Sequence, residues 1–218
     1  MAQYFQLHPD NPQPRLLKQA ADLLHKGALA AIPTDSCYAL VCHLDDKTAV
    51  ERLRRLKGLS DKHHLALLCR DLSELGSYAK VSNVQYRLLK ALTPGPYTFI
   101  LEATKEVPKR VSHPSKKSVG LRLPKHNVVQ GLLQNLGASL IATSFQLPGM
   151  AEPFRYGEEI RDALEHELDL ILSDGNCCQF QPTTVIDWTG AEPLVVRTGA
   201  GPLTGPLAPV RIQEEENI

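Results

Sequence analysis

A chain of 218 residues with 43% hydrophobic and 22% charged side chains carries enough apolar surface for one sizeable core, which excludes a disordered or fibrous polypeptide. Lys plus Arg and Asp plus Glu both number 24, so no net field draws polyanions, and any phosphate or nucleic-acid affinity must come from local clusters. Five cysteines (Cys37, Cys42, Cys69, Cys177 and Cys178) without a CxxC spacing argue against a disulfide scaffold or zinc ribbon and for a reducing, cytoplasmic setting; no stretch reads as a membrane span or a leader.

In chain order, Asn11-Pro12 precedes Leu16, Leu17, Ala20, Ala21, Leu23 and Leu24, whose spacing predicts a helix with one apolar face, closed by Gly27. Leu29-Ala30-Ala31-Ile32, bounded by Gly27 and Pro33, reads as a buried strand. Ligands in open α/β sheets usually sit at such a strand's C-terminal edge. Thr34, Asp35, Ser36 and Tyr38 therefore either carry chemistry or form a polar turn capping the next element. Asp45 and Asp46 predict the N-cap of a helix that ends at Gly58, with Ala49, Val50, Leu53 and Leu56 on its inner stripe. Lys57 shares that face in the last turn, either snorkelling back to the helix end or directed into a cleft.

A strand is expected over 64–69, a helix over 83–92 and a strand over 97–101, the last two separated by Thr93-Pro94-Gly95-Pro96. The strand expected over 119–124 carries Arg122 among apolar neighbours. An unpaired guanidinium is costly to desolvate, so Arg122 needs a carboxylate or phosphate and is a better ligand candidate than the lysines before it, Lys105, Lys109, Lys116 and Lys117, which read as decorating a solvated loop that also holds Arg110. A helix over 127–136, closed by Gly137, leads to Leu140-Ile141-Ala142 and then Thr143-Ser144-Phe145-Gln146, a second apolar strand ending in hydroxyls. The two polar edges either face one another across a pocket or are unrelated turns. A helix over 158–168 and strands over 170–172, 183–187 and 194–197 complete the pattern of one domain over 1–205, followed by a flexible acidic tail over 206–218 that contains Glu214-Glu215-Glu216.

The succession Pro33-Thr34-Asp35-Ser36, Lys57, Pro94-Gly95-Pro96-Tyr97-Thr98, Arg122-Leu123-Pro124, Thr143-Ser144-Phe145-Gln146, Pro182-Thr183-Thr184-Val185-Ile186-Asp187 and Arg197-Thr198-Gly199 resembles the YrdC/YciO family over nearly the whole chain. His8-Pro9-Asp10-Asn11-Pro12 and Cys69-Arg70-Asp71-Leu72 resemble its YciO branch. The resemblance implies an α/β fold: a single-domain, twisted, mixed parallel and antiparallel sheet with flanking helices and a large basic cavity. It implies a cytoplasmic threonylcarbamoyl-AMP synthase that joins L-threonine, bicarbonate and ATP into threonylcarbamoyl-adenylate and pyrophosphate, linked to tRNA modification. Mg2+ would arrive with ATP, with no protein-bound cofactor and no metal site of the chain's own.

The same resemblance implies that Lys57 is catalytic, facing bicarbonate and the triphosphate. It assigns Thr34, Ser36, Tyr38, Arg122 and Thr183 to the amino-acid substrate, and Thr143, Ser144, Gln146 and Arg197 to the nucleotide. A guanidinium suits a carboxylate because it offers parallel donors, whereas a lysine acts as a mobile point charge. The synthases carry Lys-x-Arg and Ser-x-Asn where this chain has Lys57-Gly58-Leu59 and Ser144-Phe145-Gln146. Losing that arginine removes stabilisation worth about 10²-fold in rate. Lys62, His63 or His64 would compensate, or they are solvated loop residues. Two further readings stay open: a double-stranded RNA- or tRNA-binding protein without synthase activity, and a related carbamoyl- or acyl-adenylate-processing enzyme. Monomer and homodimer are also both left open.

Overall fold

The computed structural model describes residues 1–60, 63, 65–109, 111, 117–178, 181–207 and 210–212. Arg110, Lys116, Lys62, His64 and Glu214-Glu215-Glu216 thus lie outside the described residues. In chain order the elements are β1 (Gln3–Gln6), α1 (Pro14–His25), β2 (Ala30–Ile32), β3 (Ala39–His43), α2 (Lys47–Lys57), β4 (Ala66–Leu68), α3 (Leu72–Tyr78), α4 (Asn83–Leu92), β5 (Tyr97–Glu102), β6 (Ser118–Arg122), α5 (Asn127–Leu136), β7 (Leu140–Ser144), α6 (Gly157–Leu164), β8 (Leu170–Ser173), β9 (Thr184–Asp187), β10 (Leu194–Arg197) and β11 (Arg211–Ile212).

The strands form one sheet in the order β1-β8-β2-β3-β7-β4-β6-β5-β9-β10-β11. Pairs such as β4 with β6 and β5 with β9 are parallel, while β3 with β7 and β5 with β6 are antiparallel, so the sheet is mixed, with six flanking helices among the described residues. Strand alternation sends one set of side chains to each face. Ala30, Ile32, Ala39 and Val41 join a core closed by Leu17, Ala20, Ala21 and Leu24 of α1 and by Val128, Val129, Leu132, Leu133 and Leu136 of α5. Leu29, Ala31, Leu40 and Cys42 join the opposite core, with Leu53 of α2 and Ile160 of α6. Each buried leucine contributes about 1.5–3 kcal/mol by leaving water. Gly131 sits mid-helix in α5 because a Cβ there would lie 2.6 Å from Leu17 Cδ1, closer than two packed helices allow.

Helix α2 starts and stops where its side chains dictate. Asp46 accepts a hydrogen bond from Ala49 N at 2.8 Å, and Gly58 takes the left-handed conformation (φ 65°) that ends the helix directly after Lys57. A Cβ on Gly58 would also meet Pro148 Cγ at 2.9 Å, so glycine is needed both for the turn and for the approach of the loop after β7.

Several elements differ from expectation. The residues directly after the polar turn, for which no strand is expected, form β3 (Ala39–His43), hydrogen-bonded between β2 and β7 and buried from Ala39 to Cys42. Strand β1 and the seven-residue α3 carry no sequence period strong enough to announce them. The helix expected over 158–168 stops at Leu164. Beyond residue 205 the chain still packs: Leu207 is buried and β11 adds in parallel to β10. No helix among the described residues is long and apolar enough to cross a membrane.

Candidate functional site

On the face covered elsewhere by α1 and α5, the middle strands present small side chains: Ala142, Ala66 and Gly120 stand side by side across β7, β4 and β6, followed by Ile100 of β5. Strand β5 shows why this face is open. Tyr97, Phe99 and Leu101 are buried in the opposite core, while Thr98 and Ile100 are only half-buried and face a cavity. That cavity measures about 220 Å3 and is walled by Ser36, Cys37, Thr143, Ser144, Thr183 and Arg197, with Arg122 and His63 also at its surface. The expected large cavity is thus a modest, partly open hollow, smaller than the roughly 300–1,000 Å3 of pockets that swallow a drug-sized ligand.

Three cations gather here, each held by protein oxygens. Arg122 leaves β6 and its Nη2 donates to Thr34 Oγ1 at 2.9 Å, to Ser36 Oγ at 2.9 Å and to Asp35 Oδ1, so two hydrogens face three oxygens. Asp35 Oδ2 in turn accepts from Lys125 N at 2.8 Å. The turn itself is knotted, since Thr34 Oγ1 donates to Cys37 O at 2.6 Å and accepts from Ser36 N at 3.2 Å. The Arg122 and Asp35 side chains are only 8% and 10% exposed, so this is a buried ion pair. Arg122 Nε is buried without a hydrogen-bond partner.

Arg197, at the end of β10, donates from Nε and Nη2 to Thr183 O at 3.1 and 2.9 Å and from Nη2 to Thr183 Oγ1 at 3.2 Å. Thr183 Oγ1 lies 2.7 Å from Thr98 Oγ1, making a hydroxyl pair in the wall. Burial holds Arg197 below the ordinary guanidinium value. Lys57 Nζ donates to Gln146 O. It stands beside the cavity rather than in its wall, near enough to Cys37 and His63 for mutual electrostatic influence, and burial lowers its pKa. Burial raises the Cys37 thiol, against the pull of Arg122.

Asp35 neutralises Arg122, whereas Lys57 and Arg197 are met by neutral carbonyls. Among the described residues, Lys57 and Arg197 therefore bring two positive charges without a carboxylate partner beside a wall of hydroxyls, a setting whose charge favours an anion.

The sequence candidates sort by position. Ser36, Arg122, Thr143, Ser144, Thr183 and Arg197 share the cavity, and Thr34, Lys57 and Gln146 flank it. Gln146 turns its side-chain amide away, donating to Met150 O at 2.9 Å and Ala151 O at 3.2 Å. Tyr38 does not border the cavity. It is fully buried, because alternation from Cys37 sends its ring into the core, and its hydroxyl approaches Gly157 near Ser173. Leu59, at the arginine position of the synthase motif, packs against the apolar core.

His63, which the sequence offers either as a compensating residue or as a solvated loop residue, is solvent-exposed and also lines the cavity. The role of Asp35 as the partner of Arg122 was missed, although an arginine among apolar residues is itself a signal that some anion must meet it.

The family model Sua5_yciO_yrdC, described as telomere recombination, matches residues 22–199. The chain is 49% identical over 201 residues to YciO of Escherichia coli (strain K12), covering 92% of this chain and 97% of that protein. A crystal structure of E. coli YciO superposes with a TM-score of 0.88 at 48% identity, over 93% of this chain and 98% of the other. Threonylcarbamoyl-AMP synthase of Mus musculus is 34% identical over 159 residues, 73% of this chain but 55% of the synthase. P. abyssi Sua5 complexed with L-threonine shares the fold, with a TM-score of 0.88 at 23% identity, over 97% of this chain and 63% of that one.

Proposed function

The chain belongs to the Sua5/YciO/YrdC family, and from that premise we propose that it joins L-threonine, bicarbonate and ATP into threonylcarbamoyl-adenylate and pyrophosphate. The observation that carries this reading is the convergence of Arg122, Arg197 and Lys57 on one hydroxyl-walled cavity, the last two without a carboxylate partner among the described residues. In this reading the hollow takes the amino acid. Arg122 receives its carboxylate, with the otherwise unpartnered Nε as a donor, and the wall hydroxyls of Ser36 and Thr183 complete the recognition. The nucleotide lies toward the mouth, between Ser144 and Arg197, with its phosphates toward Lys57 and any magnesium travelling with it.

Lys57 then supplies the charge that stabilises the α-phosphorus transition state and the departing pyrophosphate. To do so it exchanges the Gln146 carbonyl for a phosphate oxygen, a move that a flexible lysine stem makes and a forked guanidinium would not. The product would feed the threonylcarbamoyl modification of tRNA. The test is pyrophosphate release by the purified protein. Release is expected only with threonine and bicarbonate together, and Lys57→Ala is expected to lower it by roughly 10²–10³-fold. Release from ATP alone, or release indifferent to Lys57→Ala, would overturn the reading.

A further inference from the structure

We propose that His63 is the general base of this site, taking the proton that the amino-acid ammonium must lose before its nitrogen can attack bicarbonate. The assignment rests on the synthase reading above and adds a residue to it.

The reaction needs a proton acceptor, because an ammonium has no lone pair with which to form the carbon–nitrogen bond. Among the described residues that wall the cavity, the ionisable side chains are Cys37, His63, Arg122 and Arg197. Two are guanidiniums, and Cys37 is a buried thiol that already holds its proton. The carboxylate of Asp35 is spent on Arg122 and Lys125 N and is not in the wall. Only the imidazole of His63 can accept a proton near neutrality.

Its placement is built rather than incidental. Arg54 Nη1, from the outer side of α2, donates to Ser60 O at 2.7 Å and to His63 O at 3.2 Å, and His63 N donates to Ser60 O at 3.0 Å. These bonds tie the backbone of His63 to Ser60 and to α2, and His63 lines the cavity within electrostatic reach of Lys57. Partial burial, and after it the charges of Arg54 and Lys57 from α2, which are the ones that act on it among the described residues, keep the ring neutral to a lower pH than an ordinary histidine.

The proton count closes. One ammonium proton passes to the imidazole, and the freed nitrogen pair bonds the bicarbonate carbon. The bicarbonate hydroxyl leaves as water with the second amine hydrogen. A carbamate oxygen then attacks the α-phosphorus, and the bond to the bridging oxygen breaks to release pyrophosphate.

The experiment is the pH dependence of pyrophosphate release by the full chain and by His63→Gln, with ATP affinity measured calorimetrically beside it. His63→Gln is expected to bind ATP normally and to lose about 10²-fold in rate at pH 7. The deficit should shrink as the pH rises toward 9, where the amine sheds its proton unaided. A variant as fast as wild type, or a deficit constant across pH 7–9, overturns the assignment and leaves the synthase reading standing. A wild-type chain that releases no pyrophosphate with all three substrates overturns the reading and the assignment with it.

Discussion

Arg122 and Arg197 reach the same cavity from β6 and β10, yet they are met in opposite ways. Arg122 is paired with a buried carboxylate and pinned by two hydroxyls, whereas Arg197 rests on the carbonyl and hydroxyl of Thr183, and Lys57 beside them rests on the carbonyl of Gln146. A carboxylate cancels the charge and fixes the fork; a carbonyl fixes the fork and leaves the charge in place. One end of the site is therefore organised for geometry and the other for electrostatic attraction.

The largest expected effect comes from breaking the neutral end. Asp35→Ala leaves a buried guanidinium without its counter-charge, expected to cost about 3–5 kcal/mol. For a chain of this length that is a fall in Tm of roughly 6–20 °C, readable by calorimetry, and a Tm unchanged from wild type would show that the pair is not buried in solution. Arg197→Ala removes an exposed-end cation held only by a neutral partner. It is expected to weaken ATP by roughly ten- to a hundredfold, about 1.4–2.8 kcal/mol, while lowering Tm less than Asp35→Ala; the reverse ranking would erase the distinction between the two ends.

Leu59→Arg adds a third uncompensated cation, and about a tenfold gain in pyrophosphate release is expected, worth about 1.4 kcal/mol. No gain would mean that the absent arginine does not limit the reaction. The smallest effect is on the alkaline side. Burial lowers the Lys57 pKa, so the ammonium loses its proton before the pH reaches the ordinary lysine value of 10.5. The kcat/KM profile is therefore expected to begin its alkaline fall below that value; a profile still flat at pH 10.5 would show that the reaction does not use the charge of Lys57.

Much of this arrangement was legible in the chain. Asp46 and Gly58 bracket α2 as their types demand, so Lys57 could be placed on the inner face, and Arg122 among apolar residues announced an anionic partner. What local sequence does not contain is the identity of that partner, because Asp35 lies 87 positions away and meets Arg122 only once the sheet is formed. Strand β3 was hidden because its apolar run follows the polar turn directly, leaving no break to announce a new element. The sequence raises His63 without separating it from Lys62 and His64, because what ties it to the site is Arg54 binding the carbonyls of Ser60 and His63, and no hydrophobic period records such a contact.

The order of the strands carries one more consequence. The wall joins β3, β7, β4, β6, β5, β9 and β10, so residues from Ser36 to Arg197 meet only when the full middle of the sheet has zipped together. Such distant pairings are slow to form. A chain still lacking its Arg197 strand therefore has the Ser36 and Arg122 side of the cavity without the opposite wall, so whatever binds the complete cavity can steady the finished fold but finds no complete cavity on a partly formed sheet.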